Sequence, residues 1–247
     1  MSGDSRRQWR WRRTEPVRPG KWTPVVYFVA KRLVRWFIFP LLGGLEVHGV
    51  ENVPAAGGAV IAPNHVSYLD PPFLSGFLPR RAYFMAKREL FEVPVLGWVL
   101  HRNCVFPVER GAPDRAALRH GVEILRQGQL LVIFPEGTRS SDGRIGPGEL
   151  GCALVAGRAG VPIIPCAMVG SDRILTRHAR MLGRSRLYCA FGEPVTVEPD
   201  PRGRFSRPAL QRATDTLMER VTTLHAEMLA LREKREGRRR ARPRPDA

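Results

Sequence analysis

Seven short apolar runs alternate with stretches of helical periodicity along this chain, and that alternation limits the fold more than any other feature. The runs lie at 45–48, 59–63, 82–86, 105–108, 130–134, 163–169 and 186–191. Several lack the polar alternation of a half-exposed strand, as strands covered on both faces do. Helical spacing occupies 72–77, 95–101, 114–127 and 149–158, the third closed by Gly128, a usual helix stop. This order predicts an α/β domain over 44–200 with a mixed, largely parallel central sheet flanked by helices. A Pro/Arg/Gly linker follows, then a helix over 207–235 whose Leu210, Leu217, Val221, Leu224, Met228 and Leu231 share one stripe. At under four heptads, that stripe packs against the domain rather than forming a coiled coil. With 43% apolar residues in 247, the chain can bury the core of one such domain.

Two strands end in residues suited to chemistry. The run at 59–63 is followed by Asn64-His65-Val66-Ser67-Tyr68-Leu69-Asp70, and ligands of α/β sheets gather outside the carboxyl ends of strands. On a continuous helix, five residues place side chains about 140° apart. His65 and Asp70 therefore meet only if the chain turns between them. Pro71-Pro72 favours such a turn, with Asp70 as N-cap and Pro71 as the first helical residue. A carboxylate on one imidazole nitrogen leaves the other free to take a proton. The plainer alternative is that Asp70 only caps a helix and His65 is a loop histidine. Ser67 lacks the Gly-x-Ser-x-Gly elbow of a nucleophile and reads as a local hydrogen-bonding group. No second ligand stands at metal spacing from His65.

The run at 130–134 breaks into Pro135-Glu136-Gly137-Thr138-Arg139-Ser140. Gly137 permits a left-handed turn in which amides converge on an anion. Arg139 adds a planar fork and Thr138 a hydroxyl; Glu136 suits an arginine or a substrate hydroxyl. A strand-end turn with a surface ion pair is the plainer reading. Lys87 and Arg110 end two further runs, as contributors to the same site or as ordinary surface cations. Val161, Pro162, Ile163 and Pro165 suit either a slot for a hydrocarbon chain or an ordinary buried strand.

Formal net charge is +17, of which 1–21 carries +5 (seven basic, two acidic) and 232–247 another +5 (eight basic, three acidic). These ends predict disordered basic tails over 1–22 and 236–247, and raise anionic lipid and nucleic acid as partners. No stretch reaches the roughly 18 apolar residues of a spanning helix. Within 23–43, Lys31, Arg32 and Arg35 fall in one arc of about 100°, opposite Val25, Val29, Leu33, Val34, Trp36 and Phe37. That pattern predicts an amphipathic helix lying in a membrane interface, the alternative being a helix packed on its own domain. The lead-in Arg6-Arg7-Gln8-Trp9-Arg10-Trp11-Arg12-Arg13 favours lipid headgroups. The same octet could stack on single-stranded nucleic acid, but the segment after it is too apolar for such an arm. Cys104, Cys152, Cys166 and Cys189 show no metal or disulfide spacing and predict reduced core thiols in a cytoplasmic protein.

In this order, the segments resemble the glycerophospholipid acyltransferase family, most closely its lysophosphatidic acid acyltransferases. The family's His-x-x-x-x-Asp block is matched at Asn64 to Asp70, and its arginine-terminated block at Val105 to Arg110. Phe-Pro-Glu-Gly-Thr-Arg-Ser is matched in full at Phe134 to Ser140, and Val-Pro-hydrophobic-hydrophobic-Pro at Val161 to Pro165. The resemblance implies His65 as base with Asp70 as its partner. It puts Arg110, Glu136, Gly137, Thr138 and Arg139 on the acceptor, the two arginines on its phosphate, with Lys87 as a further phosphate contact. It implies acyl transfer from acyl-CoA or acyl carrier protein to a lysophospholipid, by a protein peripheral on the inner face of the cell membrane. No metal or bound cofactor is implied, and backbone amides near 64–67 are the first place to look for oxyanion donors. One position departs: where many relatives carry the lysine of a Lys-x-Gly step, this chain has Glu149, which bears on the acceptor's identity. A glycolipid or amino-acid-derived acceptor, or a catalytically silent lipid- or nucleic-acid-binding module, are the alternatives.

Overall fold

The computed structural model describes residues 23–109, 114–140, 142–174 and 183–240. Its strands are β1 (Leu45–His48), β2 (Ala59–Pro63), β3 (Ala82–Lys87), β4 (Val105–Val108), β5 (Leu130–Val132), β6 (Ile163–Val169) and β7 (Leu187–Phe191). They form one sheet in the order β1-β7-β6-β2-β5-β3-β4. Every neighbouring pair is parallel except β6 with β7, so the sheet is mixed and largely parallel, as the alternation predicts. β2 stands at its centre, between β5 and β6, and is buried at all five residues.

Alternation along β2 separates two layers. Val60 and Ala62 pack with α5 (Arg115–Arg126), α6 (Gly151–Ala159) and the first half of α7 (Arg207–Arg240). Ala59 and Ile61 pack with α3 (Asp70–Phe77) and the end of an N-terminal arm. α7 continues five residues past the end expected for it, so 236–240 is helix rather than tail. Arginine is a good helix former, and the sequence holds no proline before Pro243 to stop it. The tail expectations for 1–22 and 241–247 lie outside the described residues.

The arm comprises α1 (Thr23–Leu33), a π turn (Val34–Ile38) and α2 (Phe39–Leu42). The Phe39 amide reaches back five residues to the Val34 carbonyl. A proline ring clashes with the carbonyl four residues before it, and the wider turn relieves that clash for Pro40 and Trp36. On one side the arm packs on the domain: Tyr27, Phe39 and Leu42 are buried, and Lys31 donates to the Leu78 carbonyl. On the other, Val25, Phe28, Val29, Leu33, Trp36, Phe37 and Leu41 are exposed. The reading of a helix packed on its own domain thus holds for one side of the segment, and the other side is left open. Beside α1, α4 (Pro94–Arg102) exposes Val95 and Trp98. Among the described residues, no helix is long and apolar enough to cross a membrane. All four cysteines are free and buried.

Candidate active site

The carboxyl ends of β2, β3, β4, β5 and β6 share one edge of the sheet, and the first chemical segment leaves that edge at its centre. Asn64 fixes the exit: its Oδ1 accepts from the Met168 amide at 2.7 Å and its Nδ2 donates to the Met168 carbonyl at 3.1 Å. The chain then turns, with the Asp70 amide donating to the Ser67 carbonyl at 3.2 Å. That turn brings His65 Nδ1 to 2.9 Å from Asp70 Oδ2. The same oxygen accepts from the Val66 and Ser67 amides, each at 2.8 Å.

Asp70 is not the helix cap expected of it. Leu69 holds that position, and Asp70 is the first residue of α3. Pro71 and Pro72 have no N–H to offer, and the Phe73 amide bonds to the Leu69 carbonyl. The helix therefore leaves the Asp70 carboxylate no donor, and it turns back to the imidazole. His65 is 6% exposed and Asp70 fully buried. The imidazole stacks on Phe134, ring centroids 4.0 Å apart. With Nδ1 on the carboxylate, Nε2 is the nitrogen placed to accept a proton.

The second segment is bound to the first through the backbone of His65. Its amide donates to Glu136 Oε1 at 3.0 Å, and its carbonyl accepts from the Ser140 amide at 2.8 Å. Glu136 Oε2 accepts from the Gly146 amide at 3.0 Å. The Glu136 carboxylate thus holds backbone on both oxygens and, among the described residues, no arginine. Gly137 sits at φ +68°, its amide on the Phe134 carbonyl at 3.1 Å, a conformation that favours glycine. Gly137 and Thr138 are exposed. The amides of Thr138 and Arg139 have no hydrogen-bond partner among the described residues. The Arg139 guanidinium carbon lies 3.4 Å above the Tyr68 ring, which holds the fork flat at the mouth of the site.

The amides of residues 65, 66 and 67 are all engaged by carboxylates. For these three residues the expectation of oxyanion donors near 64–67 is corrected accordingly. Ser67 Oγ accepts from the Leu69 amide at 3.2 Å, a local role. Lys87 ends β3 at the same edge, exposed and paired with Glu89 at 2.8 Å. Two strand spacings, about 10 Å, separate β3 from β2. Arg110 lies outside the described residues. Val161, Pro162 and Ile163 stand toward the opposite, amino edge, where β6 begins, whereas Pro165 pairs with Ala62 near the carboxyl end of β2. Ile163 and Pro165 are buried, and Ile163 exchanges both backbone bonds with Val195. Glu149 is exposed, its amide on the Pro135 carbonyl at 2.7 Å. Its Cγ lies 3.5 Å from where a Cβ on Gly137 would stand, so this side chain flanks the turn.

Periodicity and spacing do not single out Tyr68 or Phe134, because each contact joins loops from different strands. The Acyltransferase family model matches residues 44–169. A 1-acyl-sn-glycerol-3-phosphate acyltransferase of Bacillus subtilis is 30% identical over 192 residues, 77% of this chain and 93% of that one. A chloroplast 1-acyl-sn-glycerol-3-phosphate acyltransferase of Brassica napus is 34% identical over 152 residues. That match takes in 60% of this chain but only 44% of the plant protein's length. The crystal structure of the 1-acyl-sn-glycerophosphate acyltransferase PlsC from Thermotoga maritima superposes with a TM-score of 0.63 at 26% identity. It covers 81% of this chain and 78% of that one.

Proposed function

The chain belongs to the acyltransferase family, and from that premise we propose that it moves a fatty acyl group from a thioester donor to the free hydroxyl of a lysophospholipid. Lysophosphatidic acid is the first acceptor to test, and acyl-CoA or acyl carrier protein the donor. The observation that carries this reading is the His65–Asp70 contact at 2.9 Å, on a loop bonded to the one that presents Arg139. His65 Nε2 takes the hydroxyl proton as the oxygen attacks the thioester carbon. The tetrahedral intermediate collapses, the C–S bond breaks, and the thiolate leaves with the proton returned from the imidazolium. Positioned base action of this kind contributes about 10²–10⁴ in rate. Arg139, the free amides of the Gly137 turn and Lys87 receive the acceptor's phosphate, with Arg110 joining them by motif. Glu89 holds Lys87 only through an exposed pair, a weak competitor for a phosphate.

The exposed apolar side of the arm, widened by Val95 and Trp98, supports peripheral docking on the inner face of the membrane, where the acceptor lies. The test is mass spectrometry of products after incubation with acyl-CoA, acyl carrier protein thioester and mixed lysolipids. His65→Ala abolishes turnover while the protein still floats with vesicles; near-wild-type turnover in that variant refutes the base.

Glu149 favours a second reading of the acceptor. A carboxylate flanking the Gly137 turn repels a phosphate monoester but complements an amine, so a headgroup pairing an anion with an ammonium fits Arg139 and Glu149 together. Under this reading Glu149→Lys shifts kcat/KM toward lysophosphatidic acid and away from amine-bearing lysolipids. An unchanged ratio removes it.

A further inference from the structure

A cleft of about 750 Å³ opens between α1, the π turn and the residues that lead into β3. Lys31, Arg32, Arg35, Arg80 and Arg81 line it, and none of the described lining residues is acidic. Arg80 is committed to the fold, donating to the carbonyls of Pro54, Gly57 and Gly128. Of the other four, Arg81 bonds the Tyr83 side chain, and only Lys31 bonds a backbone carbonyl among the described residues. Lys31 gives one hydrogen to the Leu78 carbonyl, and Arg32 lies over Phe28 at 4.5 Å. Arg81 lies over Tyr27 at 5.8 Å. Burial first, and then the Arg35 charge, lowers the proton affinity of Lys31, as expected of a half-buried cation facing another with no acidic group among the described lining residues. The remaining walls are apolar and include Phe28 and Trp36, two of the side chains exposed along the arm.

This cleft is remote from His65. It lies where α3 has ended at Phe77 and β3 begins at Ala82, at the amino edge of the sheet, whereas His65 stands at the carboxyl edge. The arm joins the two. Tyr27 meets Ala82 at one end, and the Gly44 carbonyl accepts from the Leu187 amide at the other. Twenty helical residues span about 30 Å.

We propose that this cleft holds the phosphate of an anionic membrane phospholipid, a lipid that is neither donor nor acceptor in the reaction. The four cations meet the phosphate and the aromatic walls meet the first carbons of its chains. A soluble phosphate compound would satisfy the cations and leave Phe28 and Trp36 in water. A lipid satisfies both, and its chains then run alongside the exposed apolar side of the arm. Held at this end, the arm can present its other end, and with it the catalytic edge, to the bilayer in one orientation. The proposal rests on the peripheral docking argued above and not on the acyl-transfer chemistry.

The test is vesicle flotation of the full chain with phosphatidylcholine alone and with phosphatidylglycerol added. Three charges near a bilayer carry a partition factor on the order of 100-fold. Lys31→Gln with Arg35→Gln and Arg81→Gln should lose about that factor on the phosphatidylglycerol vesicles. Arg32→Gln with Arg35→Gln, which removes no bond to the backbone, guards against misfolding and should lose about 30-fold. Arg115→Gln with Arg119→Gln and Arg212→Gln removes as much charge from exposed positions on α5 and α7, none of which lines the cleft; it should lose less than about threefold. Excess inorganic phosphate or CoA should not release the wild type. Equal losses in cleft and control variants would reduce the effect to diffuse charge and overturn the site. Release by phosphate or CoA would assign the cleft to a soluble ligand and overturn it too. Wild-type binding that ignores phosphatidylglycerol overturns the site but leaves docking standing, and binding to neither vesicle ends both.

Discussion

Glu136→Gln separates a brace from a ligand. The carboxylate accepts two backbone N–H bonds at 3.0 Å, from His65 and Gly146, and hydrogen bonds to a charged group contribute about 1.5–3 kcal/mol each. Glutamine keeps one acceptor but turns an NH2 toward the second amide, so one bond is lost and the survivor becomes neutral. Glu136 is half-buried, water replaces part of what is lost, and a net destabilisation of about 2 kcal/mol follows. For a chain of this size that lowers Tm by about 4–8 °C, readable by differential scanning fluorimetry. The kinetic signature is equally specific. Lost or weakened, the bond from Glu136 is one of two that fix the His65 backbone, and misplacing a reacting group by about 1 Å costs about 10²-fold. kcat therefore falls by tens-fold while the acceptor KM moves less than about threefold, the pattern of a group that positions rather than binds. A tenfold rise in acceptor KM with Tm and kcat intact would show that Glu136 binds substrate directly, and the brace would be refuted.

Asp70→Asn keeps an acceptor for the Val66 and Ser67 amides but puts an NH2 where the buried Oδ1 has no partner. kcat should fall by about 10²–10⁴, and steady-state kinetics retaining more than a tenth of it would contradict the pairing. Tyr68→Ala removes the ring beneath Arg139, worth about 0.5–1 kcal/mol at an exposed site; acceptor KM should rise two- to fivefold by about that energy, and Tyr68→Phe should restore it. His120 and His225 both have lowered pKa values, chiefly through burial, opposed by Glu123 at the first and Asp172 at the second. A histidine depressed in the folded state is protonated more readily in the unfolded chain. The stability it permits is intact above the unfolded value of about 6.5 and drains as pH falls below it. Urea midpoints should therefore drop between about pH 7.5 and about pH 5.5, and His120→Gln with His225→Gln should flatten that slope.

Some of this was legible in the sequence and some was not, for physical reasons. All seven strands follow from local composition, because strands covered on both faces must be apolar throughout, and β2 and β6 are buried at every residue. Their order in the sheet is set by long-range pairing, which no local pattern records. His65 and Asp70 were legible as candidates because the chain between them must turn. The direction of the carboxylate follows from Pro71-Pro72 only when the helix's missing donors are counted. The brace was not legible: a glutamate after a strand looks the same whether it faces solvent, an arginine or the amide of His65. The Trp36 face of the arm shows the opposite case. Its apolar side chains were plain in the sequence, yet spacing alone could not say that Tyr27, Phe39 and Leu42 bury one side while the other stays open. The site is therefore a property of pairing between loops. His65 receives its tautomer from its own loop, through Asp70, and its position from another, through Glu136 and Ser140. A change in either loop should register in the rate through the same imidazole, so Asp70→Asn and Glu136→Gln should combine to less than the sum of their separate losses.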